Sequence, residues 1–324
     1  MKPHRFGRTG LPVSELCLGT SNFARCANRE ETFAMLDAFR AAGGNMVQSS
    51  GLCPGASLGD GLLGLPEEFL GHWLASRAVP RREIVIATRI ALARPVVGGN
   101  VTYRELMQGC VHDSLRRIGT DHLDFLVIEW TEAVLPLDES MAVFDAVIRS
   151  GAARHLVAAH FPSGRLAGAL PTRSPHRAID GVQLDYSLVY RPLFEASAAK
   201  LCRDYNLGFI ARSPLAGGHL VAQPPSQLGS FQCRSSNDPD AAAQARLVWP
   251  VLSTVARTHG KSPAQVALAW VLAQPAVTSV LISVRFLDQL RDLIAATRIT
   301  LTPEESRRLR VGTQRRPGDT RGAP

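Results

Sequence analysis

The sequence of 324 residues contains no long hydrophobic run. None of its apolar stretches reaches the roughly 18 uninterrupted residues that a membrane helix needs. Met1-Lys2-Pro3-His4-Arg5 leads into polar sequence and not into the apolar core of a signal peptide. With 45% hydrophobic and 20% charged residues, the composition is nevertheless that of a chain with a large buried core. We expect a cytoplasmic protein without a membrane segment.

Aromatic residues and lysines are scarce. Aromatics make up 6% of the chain, and lysine occurs only at positions 2, 200 and 261, so the net charge of +8 comes from arginine. Much of that charge lies in the last segment, which carries Arg307, Arg308, Arg310, Arg315, Arg316 and Arg321. No basic groove with interleaved aromatics is present, which argues against a nucleic-acid partner. We expect a small-molecule substrate, and the oligomeric state stays open.

The six cysteines form no C-x-x-C pair. This spacing favours neither a zinc knuckle nor a disulfide framework, and no metal site is predicted.

Short apolar runs alternate with helical segments along the whole chain. The runs cover 45–47, 84–88, 123–129, 155–159, 181–184, 208–212 and 279–282, with a weaker one near 13–19. Eight strands that alternate with helices predict the α/β fold class and a single (β/α)8 TIM barrel, here over residues 1–305. Residues 306–324 are predicted to be a basic, disordered tail. The polar stretch 221–241 is interpreted as either a lid over a site or a mobile loop.

Several segments resemble bacterial aldo-keto reductases, in the order and at the spacing of that family. They are FGRTGLPVS at 6–14, LGT at 18–20, AGGN at 42–45, IVIAT at 84–88, SLRRIGTD at 114–121, SPLAGG at 213–218 and SPAQVALAW at 262–270. The resemblance implies a barrel whose active site lies at the carboxyl ends of the strands. It also implies carbonyl reduction with NADPH, for which the family uses an Asp, a Tyr, a Lys and a His.

All four of those family positions are interpreted as substituted in this chain. Aligned on the resemblance, Gln48 stands for the Asp, Cys53 for the Tyr, Arg89 for the Lys and Glu129 for the His. Arginine effectively never releases its proton, and the Gln48 amide cannot offset its charge. The proton relay of the family is therefore predicted to be dismantled.

The resemblance also identifies candidate cofactor-binding residues. At the nicotinamide end, His160 follows Ala159 where the family has a polar pair, and Arg212 replaces a stacking aromatic. The remaining candidates are Thr20, Gln183, Ser213, Leu215 and Gly217, together with Arg285, Gln289 and Asp292 near the adenine. Binding of NADP(H) is thus possible but doubtful, and an anion could bind among the small residues at 213–218.

The replaced residues leave more than one role open. Glu129 is either one half of a structural ion pair with Arg89 or a general acid or base with a raised pKa. Cys53 is either a thiolate or an unreactive thiol, and His160 is either a base or a structural histidine. Arg212 either binds a substrate carboxylate or phosphate or pairs with Glu129.

Three functions follow from these alternatives. The first is a non-redox acid–base enzyme, an isomerase, lyase or cyclase, that acts on a small and possibly anionic metabolite. The second is a residual NADP(H)-dependent oxidoreductase. The third is a catalytically silent binding or regulatory homologue.

Overall fold

The protein forms a closed barrel of eight parallel strands. The structure, a computed structural model, describes residues 1–51, 64–91, 102–129, 136–170, 179–221 and 239–311. The barrel strands are β3 Leu16–Gly19, β4 Met46–Gly51, β5 Val85–Ala91, β6 Leu123–Glu129, β7 Ala153–Ala159, β8 Ile179–Asp185, β9 Gly208–Arg212 and β10 Ser279–Ser283. They pair in chain order, and β10 closes the ring between β9 and β3. The predicted (β/α)8 barrel is confirmed.

Helices surround the strands in the described part of the chain. They are α1 Arg29–Ala41, α2 Leu65–Ser76, α3 Tyr103–Ile118, α4 Leu137–Arg149, α5 Ser163–Ala169, α6 Ala199–Asp204, α7 Pro239–His259, α8 Pro263–Leu272, α9 Leu287–Ala296 and α10 Pro303–Val311. Within the described residues, no helix is both long and apolar enough to cross a bilayer.

Local sequence fixes where several helices begin. The Asn28 side chain before α1 accepts a hydrogen bond from Glu31 N, and the Glu31 side chain accepts one from Asn28 N. The same reciprocal arrangement opens α3 at Thr102 and α8 at Ser262. These capping boxes satisfy backbone N–H groups that the first helical turn leaves without an acceptor.

A hairpin closes the amino ends of the strands. Its strands are β1 Pro3–Arg5 and β2 Pro12–Ser14, and Phe6 between them is fully buried. The Phe6 ring lies against Phe125, with 4.4 Å between ring centroids. A Cβ on Gly181 or Gly208 would come within 2.5 Å of that ring, so both positions require glycine. The open end of the barrel is therefore the carboxyl end of the strands.

Two predicted boundaries differ from the structure or lie outside it. Helix α10 begins after another reciprocal cap, formed by Thr302 and Glu305, and continues to Val311, past the boundary predicted at 305. The rest of the predicted tail lies outside the described residues. Of the predicted insertion 221–241, residues 222–238 also lie outside them, and α7 begins at Pro239.

Candidate active site

Charged side chains at the ends of β5 and β6 share the interior face of the barrel. Val85 and Ala87 belong to the core cluster inside the barrel, as do Phe125 and Val127. Successive strand residues alternate between faces, so Arg89 and Glu129 continue those interior rows. The alternation in the sequence thus brings the two residues to the same open end.

Asp185 enters the same site, although the sequence analysis did not select it. It ends β8 two residues after Gln183 and therefore shares its face. In the same way, Arg212 follows Ile210 at the end of β9. The pattern that identifies Arg212 could have identified Asp185 as well.

Five charged side chains meet at this end and are called the mouth cluster: Arg89, Glu129, His160, Asp185 and Arg212. Arg89 Nη1 lies 2.8 Å from Glu129 Oε2. His160 lies between the two carboxylates, with Nδ1 3.1 Å from Glu129 Oε1 and Nε2 3.6 Å from Asp185 Oδ2. Arg212 Nε lies 3.3 Å from Asp185 Oδ1, and its Nη1 lies 3.8 Å from Glu129 Oε1. The predicted contact between Arg89 and Glu129 is present.

The mouth cluster favours ionised carboxylates and a protonated imidazole. The hydrogen bond from His160 lowers the pKa of Glu129 most, the charge of Arg89 lowers it further, and burial opposes both. Interactions with Asp185 and then with Glu129 raise the pKa of His160 against the effect of burial. Burial works against ionisation of Asp185, but His160 and Arg212 together hold its pKa below the ordinary value. The raised pKa that one alternative required for Glu129 is therefore wrong, because cations face that carboxylate.

The backbone of His160 is unusual. Its φ of 54° lies in the left-handed region, which residues other than glycine rarely adopt. Its N–H donates to the carbonyl oxygen of Gln183 at 3.1 Å, which ties the end of β7 to β8. Strained backbone of this kind concentrates at functional sites.

A cavity of about 660 Å³ extends from the barrel mouth to the start of α9. Its wall contains most of the residues selected from the sequence: Thr20, Gln48, Arg89, Gln183, Arg212, Ser213, Leu215, Gly217, Arg285, Gln289 and Asp292. Ser50 and Phe286 also line it, and the sequence analysis did not select either. Gln48 and Gln183 bond each other through both side-chain amides.

The loop after β9 leaves two backbone donors unused in the wall of this cavity. Ala216 N and Gly218 N donate to Ser213 and Leu215 carbonyls within the loop. Among the described residues, the N–H groups of Leu215 and Gly217 have no acceptor. Ser213, Ala216 and Gly217 all have positive φ, a conformation that turns successive N–H groups toward one side. Such a concave set of donors suits a phosphate or another anion.

The far end of the cavity is formed by the start of α9. Gln289 accepts a hydrogen bond from Arg285 N at 2.9 Å, which shapes the turn into the helix. Asp292 is held from behind, since its backbone oxygen accepts from Gln265 Nε2 at 3.0 Å. Near the barrel, buried Thr20 Oγ1 has no hydrogen-bond partner in the described structure. The cavity wall thus contains arginines at the barrel mouth, backbone N–H donors in the loop after β9 and polar side chains near the start of α9.

The remaining selected residues lie elsewhere. Glu129 and His160 belong to the mouth cluster but are not among the described residues of the cavity wall, which Arg89 and Arg212 line. Cys53 lies outside the described residues. No group of three His, Cys, Asp or Glu side chains suited to a metal ion occurs in the part of the chain that the structure describes.

Comparison with known proteins identifies the family. Residues 15–311 match the Aldo/keto reductase family. The uncharacterized oxidoreductase YrpG of Bacillus subtilis is 32% identical over 315 residues, covering 94% of this chain and 93% of that protein. Norsolorinic acid reductase B of Aspergillus parasiticus is 27% identical over 324 residues, covering 91% of this chain and 79% of that protein.

A solved structure shares the fold. The thermostable aldo-keto reductase Tm1743, crystallised with the inhibitor epalrestat, superimposes with a TM-score of 0.75 at 22% identity and covers 96% of this chain and all of that one. The match over residues 15–311 and the relative at 32% identity both span almost the whole barrel. This chain therefore belongs to the aldo/keto reductase family.

Proposed function

We propose that the protein is an NADP(H)-dependent oxidoreductase that reduces the carbonyl group of a small molecule. The observation that carries this proposal is the cavity that joins Arg89 at the barrel mouth to Arg285 at the start of α9. The free N–H groups of Leu215 and Gly217 lie in its wall between the two ends, where a dinucleotide's pyrophosphate would need donors. Relatives named as oxidoreductase and reductase support the same reaction class.

The proposal includes a changed catalytic set. Gln48, Cys53, Arg89 and Glu129 would occupy the four positions that hold Asp, Tyr, Lys and His in the reductases of the family. Gln48, Arg89 and Glu129 lie on the neighbouring strands β4, β5 and β6, and Glu129 is the last residue of its strand. Without the tyrosine and lysine, simple aldehydes and ketones should be reduced more slowly than by relatives that keep the usual set.

Reduction of a carbonyl adds a hydride to carbon and a proton to oxygen. Bound NADPH would supply the hydride. Arg89, which lines the cavity, would donate hydrogen bonds to the oxygen as it gains negative charge. His160, whose pKa is raised by Asp185 and Glu129, would hold the proton beside the site, and the proton would reach the oxygen through a water molecule, because Arg89 itself releases none.

The test begins with cofactor binding. NADPH is titrated into the protein and followed by its fluorescence and by the melting temperature, which must rise if the ligand binds only the folded state. Arg285→Gln should weaken binding roughly tenfold, as expected for a lost charged contact. Arg291→Gln is the matched control, because Arg291 lies on α9, the helix that follows Arg285, with a side chain that is 64% exposed and outside the described cavity wall.

Turnover is measured next on a panel of carbonyl compounds with NADPH. His160→Gln should lower kcat by about a hundredfold, the usual scale for a general acid. His72→Gln, an exposed histidine on α2, should leave kcat unchanged. Absence of any melting shift or fluorescence change with NADPH would contradict the oxidoreductase.

A non-redox acid–base enzyme is the second candidate. The supporting observation is the mouth cluster itself, in which the His160 imidazole lies between the carboxylates of Glu129 and Asp185 and could exchange protons with either. This candidate predicts no response to NADPH. It further predicts that a metabolite accumulates in a deletion strain and is consumed by the purified protein but not by Glu129→Gln.

A further inference from the structure

Arginine dominates the barrel end of the cavity. Arg89 and Arg212 both line the wall there, and their side chains are 27% and 28% exposed. Among the described wall residues, Asp292 is the one carboxylate, and it lies on α9 at the opposite end. The barrel end of the described cavity wall therefore contributes two guanidinium groups and no carboxylate.

The counter-charges of these arginines are Glu129 and Asp185, whose side chains are 20% and 31% exposed. Glu129 contacts Arg89, and Asp185 contacts Arg212, but neither carboxylate is among the described residues of the wall. When His160 is protonated, the mouth cluster contains three cations and two anions. In that state the cluster carries an excess positive charge, and its members in the described cavity wall are the two arginines.

Arg89 has hydrogen-bonding capacity left over. A guanidinium carries five N–H donors. In the described structure the polar contact of Arg89 is the one between Nη1 and Glu129. Burial lowers the pKa of Arg89 most, the charges of Glu129 and Asp185 act in the opposite direction, and the charge of nearby Arg212 lowers it further. A second anion at Arg89 would occupy unused donors and relieve this repulsion.

We propose that Arg89 and Arg212 bind an oxyanion group of the substrate, a carboxylate or a phosphate, at the barrel end of the cavity. The inference rests on the proposed function, because it names the carbonyl compound as one that also carries such a group. Arginine suits this task, since its planar fork matches the two oxygens of a carboxylate or phosphate. A neutral aldehyde would offer the remaining donors of these two guanidinium groups only its carbonyl oxygen.

Binding of small probes tests the inference without any turnover. Benzoate, phenyl phosphate and the neutral benzamide are titrated separately by calorimetry into protein free of cofactor. Benzoate or phenyl phosphate should bind at least tenfold more tightly than benzamide, a preference that corresponds to one charged hydrogen bond or more. The tighter of the two anions identifies the substrate group as a carboxylate or a phosphate.

Variants locate the binding. Arg212→Gln should weaken the preferred anion roughly tenfold. Arg89→Lys keeps a counter-charge for Glu129, so the fold is retained, but it loses the fork and should weaken the anion severalfold. Arg291→Gln, away from the cavity, should bind as the unaltered protein does. Equal affinity for all three probes, or anion binding unchanged in both Arg212→Gln and Arg89→Lys, would overturn the inference.

A last titration separates this inference from the proposed function. Anion binding is repeated with the protein saturated in NADPH, and it should persist because the substrate and the cofactor bind together. If NADPH expels the anion, the arginines serve the cofactor's phosphates and the substrate inference fails. If NADPH does not bind at all, the proposed oxidoreductase fails while the titrations without cofactor still decide the anion site.

Discussion

Gln48 and Gln183 bond each other across the barrel. Gln183 Nε2 donates to Gln48 Oε1 at 2.7 Å, and Gln48 Nε2 donates to Gln183 Oε1 at 3.3 Å. Both side chains are buried, one on β4 and the other on β8. Each side-chain amide therefore donates one hydrogen bond to the other and accepts one from it, as buried polar groups require.

Because the two amides bond each other, mutations at the two positions should have non-additive effects on the free energy of unfolding. Gln48→Met or Gln183→Met alone should lower the free energy of unfolding by about 1 to 3 kcal/mol, because each leaves a buried amide without its partner. The double variant should be less destabilised than the sum, since no amide remains unpaired. Urea unfolding of the four proteins measures this coupling. Strictly additive losses would show that the two amides do not depend on each other.

Removal of the Glu129 carboxylate should affect stability as well as activity. Glu129→Gln leaves Arg89, Arg212 and His160 without a shared anion, and we expect a loss of about 1 to 3 kcal/mol at neutral pH. Glu83→Gln is the control, because its pair with Arg40 is exposed on both sides and should contribute less than about 1 kcal/mol. A Glu129→Gln protein that melts and turns over normally would contradict both the ion pair and the proposed relay.

The raised pKa of His160 predicts how stability changes with pH. A group whose pKa is higher in the folded state contributes stability that is fully present below its unfolded value, near 6.5 for histidine. That contribution is lost as pH rises through the folded pKa. In urea unfolding across a pH series, the difference between the unaltered protein and His160→Gln should therefore shrink above pH 6.5. A difference that grows toward alkaline pH would contradict the sign of the shift.

The carboxylates of the mouth cluster predict the opposite trend in acid. The pKa values of Glu129 and Asp185 are lowered in the folded state. The stability that these carboxylates contribute is present above their unfolded pKa values, near 4. It is lost as pH falls through their lowered folded pKa values. Asp185→Asn should therefore cost stability at pH 7 and cost less near pH 2. Unchanged acid unfolding in Asp185→Asn would contradict its ionisation in the cluster.

A buried ion pair supports the strands that carry the site. Glu67 on α2 is fully buried, and its Oε2 lies 2.7 Å from Arg117 Nε. Its Oε1 accepts a hydrogen bond from Ser49 Oγ on β4 at 3.0 Å. Ser49 Oγ in turn lies 2.9 Å from Thr88 Oγ1 on β5. Arg117→Gln should cost about 3 kcal/mol, because the Glu67 carboxylate stays buried without its counter-charge. The neighbouring Arg116→Gln should cost less than about 1 kcal/mol, since that side chain is 73% exposed. Equal melting temperatures of the two variants would contradict this assignment.

Much of the site could be placed from the sequence because strand geometry is local. Arg89 and Glu129 follow apolar residues at a spacing of two, and eight such runs between helices predict the barrel that brings their ends together. The expected contact between them is present at 2.8 Å. The same alternation places Asp185 two residues after Gln183, on the same face of β8. The family resemblance gives no signal at that position.

The amino-acid sequence by itself determined the barrel, the starts of the capped helices and the row of polar residues at the strand ends. These features depend on alternation and on contacts over a few residues. Only the tertiary structure decided which of those residues are partners. The partners Gln48 and Gln183 are 135 residues apart, and His160 lies between carboxylates from β6 and β8. The ionisation of Glu129 follows from that arrangement, because a pKa depends on every charge within a few ångströms, whatever its place in the chain.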